Sequence, residues 1–248
     1  MRRNRSLSVL ALLNRSLSSN MNKIVKNPTL KEKAEIIIKE DSSLGYFLHD
    51  EKILPAGKIN LHLILEKGTK LTLTLVDYLN ASLDFEVQAD LKEGGVLYLN
   101  LASLCFKDNM KIFRFDVNHN EGSTYSRTKM NGVNLSNGTL KFLGSSFIKS
   151  GAHKSDTRQE GRITNLSLAA KSEVSPALLI KDNDVKASHG AALGAYNPTE
   201  LYYLMSRGLS LEESKKLITY GSLLPIIESL KDENLVTEAK EVLGGLKI

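Results

Sequence analysis

Apolar and polar side chains alternate along most of the chain after Gly45. Segments in which every second residue is apolar are typical of β-strands that bury one face. The clearest are Ile59–Leu65, Lys70–Leu75, Ser82–Val87 and Val96–Leu101. Strand centres recur every 12 to 15 residues, with glycines in several intervening turns. This spacing fits a sandwich, a barrel or a β-solenoid, and the lack of helical crossovers excludes a βαβ fold.

A second β-rich stretch follows, before the pattern changes to that of helices. Its predicted strands are Thr139–Leu143, Ser146–Lys149, Ile163–Leu168, Ala177–Ile180 and Val185–Ala187. Asn197 before Pro198 predicts the start of a helix, because asparagine caps well and proline suits the first helical position. Gly208 predicts its end.

More helical segments are predicted on both sides of the β-rich body. The capping box Ser210–Glu213 opens a helix that runs towards Tyr220, Pro225 is interpreted as the start of another segment, and Glu233–Leu243 supplies a last one. A helix is also predicted over Thr29–Lys39. The predicted division is 1–20 as an arm, 21–44 as a short helical segment, 45–195 as the β body and 196–248 as a helical domain.

The positive charge of the chain is concentrated at its start. The net charge is +5, and residues 1–31 alone contribute +7, so the remainder carries −2, the difference between the two. Nucleic-acid binding needs a basic surface on the folded body. A nearly neutral body therefore argues against a nucleic-acid partner.

Residues 1–20 are rich in arginine and serine and contain no carboxylate. This composition is typical of an organelle transit peptide. An over-extended start, with Met21 as the true first residue, is the interpretation we favour. In both cases the arm is left out of the fold prediction.

Cys105 is the single cysteine of the chain. It excludes an internal disulfide and any site built from several cysteines, and it favours the reducing cytoplasm, with an organelle as the alternative if the arm is a transit peptide. No apolar run approaches the length needed to cross a bilayer. The expected protein has neither a membrane span nor a membrane partner.

The segment 156–194, which begins DTRQEGRITNLSLAAKSEVSPALLIKDNDVKASHG, resembles the shared core of the SufB and SufD proteins. The stretch LYYLMSRG at 201–208 is similar to the family's helix leading into its terminal module, and 119–127 resembles an earlier family segment. A chain with one cysteine outside the strongest match is closer to SufD than to SufB, whose members carry functional cysteines. The chain is shorter than typical members, chiefly near its start.

The resemblance implies a right-handed parallel β-helix with a small C-terminal helical domain. It also implies a scaffold subunit of the SUF iron-sulfur cluster assembly complex, which pairs with a SufB-like subunit and binds the SufC ATPase through its tail. The chain has no G-x-x-x-x-G-K-[ST] loop, so ATP hydrolysis would come from SufC. The expected protein is a non-catalytic scaffold.

His189 is the residue that the resemblance implies in cluster assembly, as an iron ligand at most. From chemistry alone, a lone histidine is more often structural. Some relatives have a cysteine at the position of Ala187, and one imidazole cannot hold a cluster, so a transient cluster would be shared with the partner and none would be bound by the isolated chain. For docking of the ATPase, the predicted residues are Tyr203, Leu204, Arg207, Leu217 and Ile218.

Two alternatives remain open from the sequence. One is a shortened family member that forms a homodimer and binds SufC. The other is a β-helix enzyme acting on polysaccharide, for which Asp84 and Glu86 offer a single carboxylate pair. The remaining polar candidates are interpreted as surface or turn residues without a metal site, namely His49, His62, His119, Ser123, Ser126, Arg127 and His153.

Overall fold

A computed structural model describes residues 22–27, 32–49 and 58–246. The strands are β1 (Asn22–Lys26), β2 (Lys33–Ile38), β3 (Ser42–Leu48), β4 (Ile59–Leu65), β5 (Lys70–Asp77), β6 (Leu83–Leu91), β7 (Val96–Cys105), β8 (Met110–His119), β9 (Tyr125–Asn134), β10 (Thr139–Ile148), β11 (Asp156–Asn165), β12 (Lys171–Ile180) and β13 (Lys186–Ala195). The helices are α1 (Pro198–Ser206), α2 (Leu211–Ile227) and α3 (Glu233–Gly244). Among these residues no helix is long and apolar enough to span a membrane.

Successive strands alternate between two parallel sheets. The odd-numbered strands form a seven-stranded sheet, here called the odd sheet, and the even-numbered strands form a six-stranded one, the even sheet. Each coil therefore adds one strand to each sheet, and equivalent residues of successive coils lie side by side, as do Val96, Tyr125 and Asp156. This arrangement is a β-solenoid. It confirms the predicted fold class and excludes the alternative sandwich and barrel folds.

The space between the sheets is filled by the apolar residues of the alternating segments. Leu63, Leu91, Leu99 and Phe113 are among those fully buried there. Each such side chain stabilises the fold by about 1.5–3 kcal/mol through loss of apolar surface from water. The period-two pattern thus arises because one face of every strand points into the solenoid.

The helical tail forms a second core on the outer face of the odd sheet. Leu223, Ile226 and Ile227 of α2 pack in one cluster with Phe47 and Leu104 of the strands. Asn197 caps α1 by accepting a hydrogen bond from the Thr199 N–H, and Ser210 and Glu213 form the expected capping box of α2. The predicted starts of these two helices are confirmed.

The helix predicted over Thr29–Lys39 is wrong. Residues Lys33–Ile38 form β2, which pairs in parallel with β4, and β3 begins at Ser42, so the solenoid starts before Gly45. The run Ile36-Ile37-Ile38 is β-branched and suits a strand, and the pairing with β4 outweighs the helical pattern. Residues 1–21 and 28–31 lie outside the described residues, and so do the predictions for the arm.

Pro225 does not open a new segment. It lies inside α2, which continues to Ile227. A proline inside a helix removes one hydrogen bond, but the buried side chains of Leu223 and Ile226 on either side hold the helix against the odd sheet. Packing therefore keeps α2 continuous.

Several late strands also differ from their predicted bounds. Strand β10 joins two predicted strands into one, and β11 ends at Asn165, three residues before Leu168. Leu168 is fully exposed in the following turn. The strand patterns are weaker here because the last coils bury few apolar side chains.

Candidate functional site

The solenoid ends in an open coil. Strands β12 and β13 are the last of their sheets, so within the described part of the chain each has one unpaired backbone edge. Apolar side chains are exposed on these strands, namely Leu179, Ile180 and Leu193. An unpaired edge with exposed apolar side chains is a template for pairing with another chain.

His189 lies on this open end. It is in register with Gln159 on β11, which continues an inward-facing column through Thr128 and Leu99. His189 therefore occupies an interior position of the solenoid, but it is exposed because β13 is the last strand of the odd sheet. Small residues flank it, among them Ala187 and Gly190, and they leave room for another chain to approach.

The interior of the solenoid changes from apolar to polar towards the open end. In one column, Leu71 and Leu97 are followed by Ser126 and Thr157. We call the hydrogen-bonded set of buried polar side chains in these coils the polar ladder. Its members are His119, Thr124, Ser126, Ser146, Ser155, Thr157 and Gln159.

Short hydrogen bonds join the polar ladder. The Nδ1 of His119 is 2.7 Å from the Thr124 Oγ1, and its Nε2 is 2.9 Å from the Ser126 Oγ. Ser126 and Thr157 oxygens lie 2.7 Å apart, and the Thr157 oxygen lies 2.9 Å from Ser146. Polar groups buried in this way are stable only when paired.

His119 is buried at the centre of the ladder, with no exposed surface. Burial lowers the pKa of its imidazole from 6.5 to about 4, against a smaller raising effect of Asp156, because the charged form loses its hydration. The imidazole is thus neutral near pH 7. The surface interpretation of His119 and Ser126 is wrong, since both face the interior, whereas Ser123 lies in an exposed turn.

The predicted docking residues lie on α1, at its C-cap Arg207 and on α2. Tyr203, Arg207 and Leu217 are exposed, and Leu204 and Ile218 are half-buried. The Arg207 guanidinium lies 5.1 Å from the centre of the Tyr203 ring, a distance typical of a cation–π contact. None of the residues of α1 is buried. The exposed large apolar side chains of the tail are Tyr202, Tyr203, Met205, Leu211 and Leu217.

Asp84 and Glu86 do not form a free carboxylate pair. Both lie on β6 with their side chains on the outer face of the even sheet, where Asp84 pairs with Arg114 and Glu86 with Lys58. An acid–base pair for glycoside hydrolysis needs two carboxylates that act on one bond. Each carboxylate here is held by its own cation, and this arrangement gives the polysaccharide interpretation no support.

The other histidines have local roles. His62 lies between Glu35 and Asp90, at 3.2 Å and 2.7 Å, and His153 lies 3.0 Å from Asp182 on a turn. No group of three potential metal ligands occurs in the described ranges.

Parts of this sequence are similar to known proteins. A family model described as "SUF system FeS cluster assembly, SufBD core domain" matches residues 14–222. The iron-sulfur cluster assembly protein SufD of Bacillus subtilis is 38% identical over 118 residues, which are 45% of this chain and 27% of the relative. SufD of Escherichia coli is 29% identical over 156 residues, 61% of this chain and 36% of the relative. Protein ABCI7, chloroplastic, of Arabidopsis thaliana is 28% identical over 111 residues, which are 45% of this chain and 23% of the relative.

The chain thus spans between 23% and 36% of the length of these three relatives. The family model, in contrast, covers most of the chain, including the open coil and His189. The relatives named SufD agree with the SufD-like resemblance of segment 156–194. The chain belongs to the SufB/SufD family of SUF-system iron-sulfur cluster assembly proteins, on its SufD-like side.

Proposed function

We propose that this chain is a non-catalytic scaffold subunit of a SUF complex, which pairs with a SufB-like subunit and binds the SufC ATPase. The observation that carries the proposal is the position of His189, the residue singled out by the family resemblance, on the unpaired end of the solenoid. A scaffold needs a surface for each partner. The open coil and the exposed face of α1 and α2 are two separate candidates.

The open coil suits the SufB-like partner. A strand added beside β12 or β13 would satisfy their free backbone groups and would cover Leu179 and Leu193. His189 would then lie at the contact, where a neutral imidazole can bind iron. Since a cluster is generally held by four protein ligands, the partner would supply the rest, and the cluster would be transient cargo at the contact.

Co-expression with SufB and SufC from the same source tests the proposal. We expect one complex that contains all three chains on size-exclusion chromatography with mass measurement. Failure of the chains to co-elute would refute it. A particle with two copies of this chain and SufC, but no SufB, would instead establish the homodimeric alternative. The compartment stays a prediction, the cytoplasm or, if residues 1–20 are a transit peptide, an organelle.

Replacing His189 with alanine is expected to preserve the complex and to lower the yield of assembled cluster. The side chain is exposed on an edge strand, so its removal costs little stability but removes the imidazole proposed to lie at the contact. Cluster formation is followed by the visible absorbance of the reconstituted complex. His153→Ala, which removes an exposed histidine on a turn, is the control, and equal yields from the two variants would leave His189 with a structural role.

Replacing Leu217 with glutamate is expected to weaken binding of SufC by about tenfold or more, the effect of losing roughly 1.4 kcal/mol. Leu217 is 49% exposed, so the charge would be placed in the docking contact rather than in the core. Asn234→Glu adds the same charge at an exposed site of α3 and serves as control. Titration of SufC by isothermal calorimetry measures both, and unchanged affinity for Leu217→Glu would remove this face from the docking surface.

A further inference from the structure

Gln159 lies directly beneath His189 in the solenoid. The two residues are in register on adjacent parallel strands with their side chains on the same face, and adjacent strands lie about 4.8 Å apart. Gln159 is only 2% exposed, whereas His189 is exposed. The two side chains are therefore neighbours in one column, the amide buried and the imidazole exposed.

The orientation of that amide is fixed by two hydrogen bonds. The Nε2 of Gln159 donates to the Ser146 Oγ at 2.6 Å and to the Ala177 carbonyl oxygen at 3.2 Å. A carbonyl oxygen can only accept, so Nε2 must face Ala177 and Oε1 must face the other way. Ser146 is itself held by Thr157 of the polar ladder. The amide of Gln159, which extends from the odd sheet, is thus held by β10 and β12 of the even sheet.

Packing alone does not explain a glutamine at this position. Earlier coils place Leu73 and Leu99 in the same column, and the Oε1 of Gln159 is buried without a hydrogen-bond partner in the described part of the chain. An unpaired buried carbonyl is destabilising. A leucine would avoid that penalty, but it would leave the Ser146 Oγ and the Ala177 carbonyl oxygen without their Nε2 donor. The glutamine thus adds a fixed polar group to the column, which an apolar side chain could not.

We propose that Gln159 is a positioning residue for His189, whose imidazole it supports so that one ring edge faces the partner. A planar amide held in one orientation forms a flat support for a planar ring one strand further, as in ladders of stacked amide and aromatic side chains. Residues behind a ligand commonly set its orientation and basicity. The importance of this support for cluster assembly rests on the proposed function.

Gly144 offers a way to move the amide without changing it. A Cβ added at Gly144 would lie 2.8 Å from the Gln159 Oε1, closer than the two atoms can approach, so Gly144→Ala must displace the amide. Gln159→Leu removes the amide and keeps most of the volume. Thr128→Val is the matched control, since Thr128 adjoins Gln159 in the same column on the side away from His189.

The experiment records the imidazole nitrogen and proton signals of the full chain labelled with ¹⁵N-histidine. His189→Ala assigns the signals of His189 among the five histidines. We expect Gln159→Leu and Gly144→Ala each to shift the His189 signals and its tautomer ratio, while His153 stays constant and Thr128→Val leaves His189 unchanged. Native signals for His189 in both folded variants would overturn the proposal. If Gln159→Leu fails to fold, Gly144→Ala decides alone.

Cluster yield in the complex separates this inference from the proposed function. If His189→Ala lowers the yield, Gln159→Leu should lower it towards the same level without loss of the partner. If His189→Ala has no effect on cluster yield, but Gln159→Leu and Gly144→Ala shift the His189 signals, the role of His189 in assembly fails. The positioning of His189 by Gln159 then stands. If His189→Ala lowers the yield and the signals never shift, the positioning fails and the assembly role stands.

Discussion

Replacing Lys111 with methionine is expected to lower the free energy of unfolding by about 3–5 kcal/mol, the usual cost of leaving one member of a buried ion pair alone. Lys111 and Asp77 have no exposed side-chain surface, and the Lys111 Nζ lies 2.7 Å from an Asp77 carboxylate oxygen. Methionine fills a similar volume without charge. The loss would therefore come from the uncompensated carboxylate of Asp77.

The environment of this pair explains the size of the effect. The Nζ also donates to the Leu79 and Leu104 carbonyl oxygens, at 2.6 Å and 2.7 Å, so its three protons are all used. The carboxylate of Asp77 accepts a further hydrogen bond from Ser103 at 2.7 Å. These contacts tie the ends of β5 and β7 in the odd sheet to the start of β8 in the even sheet, and breaking them loosens all three strands.

Urea unfolding followed by circular dichroism measures the loss. Lys141→Met is the matched control, because Lys141 forms a surface ion pair with Glu173 at 2.8 Å, and exposed pairs contribute about 0–1 kcal/mol. The double variant Lys111→Met with Asp77→Leu should regain much of the stability, since it leaves no buried charge. Equal losses for Lys111→Met and Lys141→Met would contradict the account.

How far the sequence predicts this fold depends on the coil. From β4 to β7 the interior is apolar, so alternation locates the strands. Two strands per coil, rather than a sandwich or barrel, cannot be inferred from alternation, because pairing joins residues 21 to 32 positions apart. The family resemblance, not the alternation, predicted the solenoid. At β2, a local helical pattern misled the prediction because the pairing with β4 is long-range.

The polar ladder escaped the sequence prediction for another physical reason. In the first half of β9, before the buried Met130, the inward positions are Ser126 and Thr128, and the outward ones are Tyr125, Arg127 and Lys129. Both faces are polar, so hydrophobicity has no period. Side-chain size does alternate, with small hydroxyls inside and large side chains outside, and this is the signal that could have located the ladder. Its hydrogen bonds, which join different coils, could not be read from spacing.

Lowering the pH from 6.5 to about 4 is expected to destabilise the protein by about 3 kcal/mol through His119 alone, roughly 1.4 kcal/mol for each unit of pKa depression. The folded pKa of His119 is about 4, against 6.5 for an unperturbed histidine. As the pH falls, His119 therefore binds a proton in the unfolded chain before it does so in the folded chain. The stabilisation that the neutral His119 gives is complete above pH 6.5 and is lost as the pH falls towards 4. At still lower pH, His119 is protonated in both states, and its contribution no longer changes.

The reason for the effect is that His119 cannot be protonated in place at low cost. The ring is fully buried, and its two nitrogens contact only the neutral hydroxyls of Thr124 and Ser126, which cannot replace the hydration that a charged imidazolium loses. Asp156 is the titratable group that opposes the shift. Burial acts to raise the carboxyl pKa of Asp90, but hydrogen bonds from His62, Asn118 and Asn120 outweigh it and lower the pKa below its ordinary value of 3.8. The contribution of Asp90 is therefore lost mainly below the window.

Unfolding by urea at a series of pH values between 7 and 4, compared with His119→Gln, isolates this contribution. Glutamine can bond to the same hydroxyls but does not titrate, so the difference in unfolding free energy between the two proteins should change by about 3 kcal/mol across the window. Parallel curves would show that His119 is protonated equally in both states.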